Sequence, residues 1–331
     1  MRYTPIVRDS GAFQRPVTPE QVEMVIVRAF GPAARPSEAV ELGGGLWNTT
    51  LRVDGGGFPG PVIVRFAPEG RVQTRTERDL MRTEHAVAPF LAPIACLVPQ
   101  ILFADFTRQL VPRDVLVQSF LPGVPAAEVL PTWAPGQAEA FYRRLGELTR
   151  EVHAVRGTTG FGRVGGDRFT CWSGQVNAEL TDLVADLEAA GLDASDLRRV
   201  IAVCQARPEA LDQITLPQLT LGDLWVPNVM VDPATASPTI CGVFDTDRAV
   251  WGDPLADWTI FQATQKPGTE VEAFWDGYGR PVLDADGVWR SHVYAARHWG
   301  AIRLERHRLG RTKRIPATYT ELGKVLAVLG G

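Results

Sequence analysis

The chain has 331 residues, 45% hydrophobic and 22% charged, enough for one large domain or two modest lobes sharing a cleft. Its formal net charge of −4 gives nucleic acid no electrostatic claim as the main partner. No apolar run reaches membrane-spanning length and residues 1–17 lack the apolar centre of a secretory leader, so no membrane partner and a cytoplasmic location are expected. Cys96, Cys171, Cys204 and Cys241 lie far apart, with no C-x-x-C pair and no histidine at ligand spacing; they read as free thiols rather than a zinc site. Of 34 basic residues only Lys266, Lys313 and Lys324 are lysines, so the first 265 residues offer no ammonium side chain.

In chain order, residues 18–30 read as a helix. Thr18 is the N-cap, Pro19 suits the first helical position, Gln21 completes a capping box and Gly31-Pro32 ends it. Residues 38–42, 50–53 and 61–67 are short, β-branched and separated by glycine-rich turns, as antiparallel strands are. A helix is expected over 76–92 and two more strands over 99–105 and 114–120. LPGVP at 121–125 breaks the pattern and reads as a hinge. Beyond it the chain turns helical. Phe141, Leu145, Leu148 and Val152 mark one apolar face in 137–154, and further helices are expected over 176–190 and 194–209. Strands at 228–232 and 239–245 interrupt them, and helices follow. The expected fold class is α+β: a small antiparallel-sheet lobe (1–120), a hinge (121–125) and a larger, mainly helical lobe (126–331).

The informative stretch is LTLGDLWVPNVMVD (219–232) followed by CGVFDTDRAVWGDPLADW (241–258). Moving a phosphoryl group from ATP to a hydroxyl asks for a carboxylate to orient and deprotonate the hydroxyl, and oxygen ligands to hold Mg2+ on the phosphates. Asp223 and Asn228 have the D-x-x-x-x-N spacing of a kinase catalytic loop just before a strand, and Asp245 ends the next strand. The spacing alone is weak; loop, strand, turn, strand, aspartate and the G-D-P triplet together are far stronger.

These segments resemble the HGDxxxxNxL and IDWExxxxGDPxxDL blocks of the aminoglycoside phosphotransferase and choline kinase-like superfamily. The resemblance extends over roughly residues 38–280. GGGLWNTTLRV (43–53) is similar to the glycine-rich hairpin, VIVRF (62–66) to the phosphate-contacting strand, and RTEHAVAPFLA (82–92) to the ion-pairing helix. VLVQSFLPG (115–123) is similar to the adenine-binding linker. It implies a two-lobed protein-kinase-like fold and transfer of the ATP γ-phosphate to a small-molecule hydroxyl. The acceptor would be an aminoglycoside or other antibiotic, a sugar or an amine-bearing metabolite. It further implies Asp223 as base, Asn228 and Asp245 as Mg2+ ligands and Arg65 paired with Glu84. Gly44, Gly45 and Asn48 would lie in the nucleotide loop, and backbone near Ser119 and Phe120 would hold the adenine. Leu221 departs from the family's histidine, and Arg65 from its lysine; a guanidinium can still bind two phosphate oxygens. If the two changes abolish turnover, the alternative is a nucleotide-binding regulatory module.

Plainer explanations stand beside these. Asp223 could be a turn aspartate, the glycine triplet hairpin punctuation, and Arg65–Glu84 a surface ion pair. Asp253 reads as a helix N-cap, Asp247 as a turn or surface residue, and His153 as a satisfied structural histidine. Trp225 could line the acceptor pocket or pack beneath the loop. Asp257, with Glu270, Glu272 and Asp276, is a candidate acceptor-binding carboxylate. The basic segment 290–331 reads as a solvated helical face.

Overall fold

The computed structural model describes residues 1–8, 13–43, 45, 47–68, 74–235 and 239–330. The first lobe contains β1 (Arg2–Thr4), α1 (Pro19–Phe30), β2 (Arg35–Glu41), β3 (Thr49–Gly56) and β4 (Val62–Phe66). It continues with α2 (Leu80–Val87), β5 (Ile101–Asp105) and β6 (Val115–Ser119). Its six strands lie in the order β1-β2-β3-β4-β6-β5, antiparallel except for the β1–β2 pair. Alternation puts Leu51, Val53, Val62 and Val64 on the inner face, where Val22, Val25 and Ile26 of α1 cover them. Thr18 and Gln21 form the reciprocal capping box that starts α1.

The helix expected from residue 76 starts only at Leu80. Asp79 lies in the left-handed region (φ 58°), and the chain before it does something else. Asp186 accepts hydrogen bonds from the backbone N–H groups of Arg75 (2.9 Å) and Thr76 (3.0 Å), while Arg163 donates to the Thr76 and Arg78 carbonyls. Thr74–Asp79 is thereby docked on the second lobe. After α2 the chain tightens into a 3-10 turn over Ala88–Ile94, where Pro93 cannot donate a helical hydrogen bond.

The second lobe follows: β7 (Val124–Pro125), α3 (Ala126–Val129), α4 (Pro135–His153), β8 (Gly162–Arg163), α5 (Trp172–Ala189), α6 (Ser195–Ala206), α7 (Pro208–Asp212), β9 (Gln218–Thr220), β10 (Val229–Asp232), β11 (Thr239–Val243) and β12 (Val250–Gly252). Four helices complete it: α8 (Trp258–Thr264), α9 (Phe274–Tyr278), α10 (Ala285–Arg308) and α11 (Ile315–Leu329). The single helix expected over 194–209 is divided into α6 and α7 at Pro208. β10 and β11 pair antiparallel, with β7, the far end of the hinge, on the other side of β10. The small sheet β8-β12-β9 has strands too short to stand out as a sequence pattern.

The basic C-terminal segment is only in part the solvated face expected of it: Arg311, Lys313, Arg314 and Lys324 are exposed, but α10 departs from it. Arg290, His298 and Arg303 of α10 are buried. Arg303 donates to both Asp196 carboxylate oxygens (3.0 and 2.5 Å) and stacks on the Tyr319 ring at 3.6 Å. These charges tie α10 to α6 and α11 from the inside.

Helices α4 and α9 cross so closely that neither can carry a side chain at the crossing. A Cβ on Gly277 would lie 1.9 Å from the Arg143 carbonyl oxygen, and one on Gly146 2.1 Å from that of Phe274. The crossing sets the position of Tyr278, which contacts His153. Gly277→Ala is therefore expected to cost about 1–3 kcal/mol through overpacking and lower the thermal midpoint by several degrees. Gly136→Ala in α4, where a Cβ meets nothing within 4 Å, should leave the midpoint unchanged or raise it. Equal melting of the two variants in a calorimeter would refute the close-crossing argument.

Candidate active site

The loop between β9 and β10 begins on a glycine that nothing else can replace. Gly222 has φ 71°, and a Cβ there would lie 2.7 Å from the Arg248 carbonyl oxygen. Three bonds brace the loop: Leu221 N–H donates to Asp257 Oδ2 (3.1 Å), Thr259 Oγ1 to the Leu224 carbonyl (2.5 Å) and Asn228 Nδ2 to the Asp223 carbonyl (2.9 Å). Asp223 retains 24% side-chain exposure, with Arg248 Nε 3.8 Å from its Oδ2. Burial raises its carboxyl to about 7; Arg248 and Asn228 oppose the rise and Asp245 adds to it.

Asp245 follows β11 with φ 63°, a left-handed conformation that aspartate tolerates better than most residues. Its Oδ1 accepts a hydrogen bond from Arg65 Nη2 (2.9 Å), and Arg65 Nη1 reaches both oxygens of Glu84 (2.6 and 2.5 Å). Gln118 donates to Glu84 Oε1 (2.8 Å). Arg65 and Glu84 are both buried, so this is no solvated surface pair. Burial by itself would weaken the Arg65 charge; Glu84, Asp245 and Asp247 outweigh it and raise the guanidinium's pKa. Glu84 anchors Arg65 within the first lobe, and the Arg65–Asp245 bond carries the link from β4 to the second lobe.

Asp247 lies in a turn, as expected, but not at the surface. It is buried, and burial followed by Asp245 pushes its carboxyl well above the ordinary range. Carboxylate oxygens of Glu84, Asp245 and Asp247 lie within 4.8 Å of one another. Phe244 N–H donates to the Asn228 carbonyl (3.1 Å), which brings Asn228 beside the chain that carries Asp245. Crowded carboxylate oxygens with a side-chain amide nearby are the donor set a hard divalent cation takes, and such a charge would relieve their repulsion. The residues fit Mg2+.

On the nucleotide side, Gly44 lies outside the described residues. Gly45 is exposed, and its carbonyl accepts from Gln14 Nε2 (2.5 Å); Asn48 is buried. Ser119 N–H already donates to the Gln100 carbonyl (2.9 Å), so an adenine edge would meet the chain just beyond it, at Phe120. The glycine-rich hairpin is also held from the second lobe, which no local signal foretold. The Arg308 guanidinium lies 4.2 Å from the Trp47 ring centroid and 4.3 Å from that of Phe13, and pairs with Glu77. Glu77 also accepts from Arg248 (3.3 Å).

On the acceptor side, Trp225 lines a cavity of about 310 Å3 between α3, α4 and α8. Asp257 is absent from its lining. It is buried, and its oxygens are taken by His153 Nε2 (3.0 Å), Leu221 N–H and Thr259 N–H (3.1 Å). Burial alone would raise this carboxyl, yet these hydrogen bonds hold it below its ordinary value. Asp257 therefore braces the loop instead of meeting an acceptor. His153 is the satisfied histidine expected, with Nδ1 2.9 Å from the Tyr278 hydroxyl. Asp253 caps the turn at Pro254–Ala256 and also receives Tyr294 and Arg290. Sequence reasoning set Asp247 aside as a turn or surface residue and overlooked Arg248, Glu77 and Arg308; only the D-x-D-R spacing after β11 could have flagged the first two.

Arg308→Ala removes the cation from between two rings, an interaction worth about 1–2 kcal/mol when partly desolvated. Hydrogen exchange of the peptide carrying Trp47 should accelerate several-fold while exchange in α6 stays as it was. Unchanged exchange around Trp47 would mean the stack holds nothing.

A phosphotransferase enzyme family model matches residues 38–291. No curated protein matches the chain. Solved structures share its fold at low identity. The chain is similar to aminoglycoside phosphotransferase APH(4)-Ia in a ternary complex with ADP and hygromycin B. That match has 17% identity and a TM-score of 0.66, over 93% of this chain and 98% of that one. It is similar to the GDP and kanamycin complex of APH(2″)-IIIa (16% identity, TM-score 0.61, 92% and 98%). A putative aminoglycoside phosphotransferase from Ralstonia eutropha gives 14% identity and a TM-score of 0.60 over 92% and 97%. With the family model spanning most of its length, the chain belongs to the phosphotransferase enzyme family.

Proposed function

We propose that the protein transfers the γ-phosphoryl group of ATP to a hydroxyl of a small molecule, with Asp223 as the base. The observation that carries this reading is the convergence of Asp223, Asn228 and Asp245 on one side of a cleft whose other side presents Arg65, anchored by Glu84. Asn228 and Asp245, joined by Asp247, would hold Mg2+, which when bound neutralises charge on the phosphates. Arg65, always charged, would meet phosphate oxygens with the N–H groups not engaged by Glu84 and Asp245. Asp223 accepts the acceptor's proton as its oxygen bonds to the γ-phosphorus; the bond from that phosphorus to the bridging oxygen breaks, and ADP leaves.

Leu221 does not argue against turnover. Its backbone N–H braces the loop on Asp257 and its side chain is buried in the core beneath, so the loop is held without a histidine there. The regulatory-module alternative has no geometric feature in its favour.

Asp223 must be ionised to act, so kcat/KM should rise with pH and level off above about 7. Asp223→Asn should lower kcat by about a hundredfold or more and leave ATP binding, read by calorimetry, within a fewfold. The same change should stabilise the fold at pH 8. A carboxyl raised by burial loses folding free energy as pH climbs from its unfolded value through about 7, and asparagine has no charge to bury. A flat pH profile, or full turnover in Asp223→Asn, removes Asp223 from the chemistry. ATP and Mg2+ binding without transfer to any member of a broad alcohol library would favour the regulatory module.

A further inference from the structure

The four carboxylates expected to meet a polycationic acceptor do not assemble. Asp257 is consumed by the loop brace, Glu272 pairs with Arg280, and Asp276 lies 3.5 Å from Arg143. Glu270 alone stays near, close enough to add to the burial that raises the Tyr142 phenol. The cavity behind the loop has an apolar wall instead: Leu130, Leu145, Trp225, Val226, Val271 and Phe274 line it, and the charged side chain in its lining is Lys266. Its volume of about 310 Å3 sits at the small end of the roughly 300–1,000 Å3 typical of ligand pockets.

Trp225, Val226 and Pro227, which line this cavity, follow Asp223 in the same loop; Asp223 itself lies outside the lining, so an acceptor seated there would extend its hydroxyl past Trp225 to reach the base. An apolar wall gains from covering hydrocarbon and loses from stripping water off ammonium groups it cannot pair. Lys266 adds a repulsion that a cationic acceptor would have to overcome. Resting on the kinase reading above, we propose that this cavity seats the acceptor's body and that the acceptor is an alcohol with a compact apolar frame, neutral or anionic, and not a polyamine. Its hydroxyl oxygen bonds to the γ-phosphorus, its proton passes to Asp223 and ADP departs.

The test is phosphoryl transfer from ATP with Mg2+, read by mass spectrometry on four probes. These are benzyl alcohol, para-(hydroxymethyl)benzoate, para-(hydroxymethyl)benzylamine and kanamycin. The neutral and anionic alcohols should exceed the benzylamine at least tenfold in kcat/KM, with kanamycin lowest. Lys266→Glu should reverse the order of the benzoate and the benzylamine, a charge-specific result that a merely structural lysine would not give. Ala127→Trp, on an exposed residue at the cavity's edge, should raise KM for benzyl alcohol about tenfold. Kanamycin or the benzylamine leading the series would overturn the acceptor class and leave the kinase reading standing. So would indifference of the benzoate-to-benzylamine ratio to Lys266→Glu, or transfer to none of the apolar alcohols while ATP hydrolysis proceeds. Absence of ATP binding and hydrolysis under every condition would end both.

Discussion

Charge imbalance in a space with little water governs this site. Among the described residues Glu84, Asp223, Asp245 and Asp247 crowd around Arg65 and Arg248, and Arg248 is further shared with Glu77, so carboxylates outnumber the guanidiniums beside them. Asp223 and Asp247 respond by holding their protons more tightly than free carboxylates do. One divalent cation would supply the missing charge. The backbone also carries a load, since Asp245 occupies a conformation that glycine takes more readily. The local rules are broken where the chemistry is proposed, and the scaffold around them is what tolerates it.

That scaffold is a set of buried polar contacts tying distant segments to the loop. Asp257 at the start of α8 receives His153 from α4 and the amide of Leu221, so one carboxylate joins three parts of the second lobe. Because it binds the backbone at 221, the side chain there is free to be apolar. Across the cleft, Arg65 joins β4, α2 and the chain after β11, while Arg308 reaches from the end of α10 to Trp47 and Glu77. The lobes are joined by guanidiniums. A rigid fork with several donors suits such junctions, because one side chain satisfies two or three partners at once.

What the sequence made legible follows from how local each signal is. The capping box of α1 and the alternation in β3 and β4 act over a few residues, and those elements lie where the pattern puts them. The D-x-x-x-x-N spacing was readable for the same reason. Thr74–Asp79 was not: its composition is helical, yet Asp186, more than a hundred positions away, takes the amides of Arg75 and Thr76 and the segment forms a turn ahead of α2. The same blindness to distance misplaced Asp257 at the acceptor and Asp247 on the surface. Asp257 follows the Pro254–Ala256 turn and Asp247 sits in a turn of its own, and only tertiary partners reveal that both are buried. Arg290 and Arg303 looked solvated because charge in a helix says nothing of what another helix brings to meet it.

The arginine excess has a consequence for recognition that follows from pairing alone. An arginine fork within reach of a surface carboxylate captures it, as Arg280 does Glu272 and Arg144 does both Glu147 and Glu151. Each capture removes an anion that could otherwise meet a ligand's ammonium group. The described lining of the acceptor cavity is an apolar wall with an exposed lysine, and Glu270 stands near it. Such a surface discriminates by exclusion: its attraction for hydrocarbon is modest, while the desolvation it imposes on unpaired cations is steep. The shared fold therefore says little about the acceptor. The residues around Trp225, not the lobes that carry them, decide what can approach Asp223.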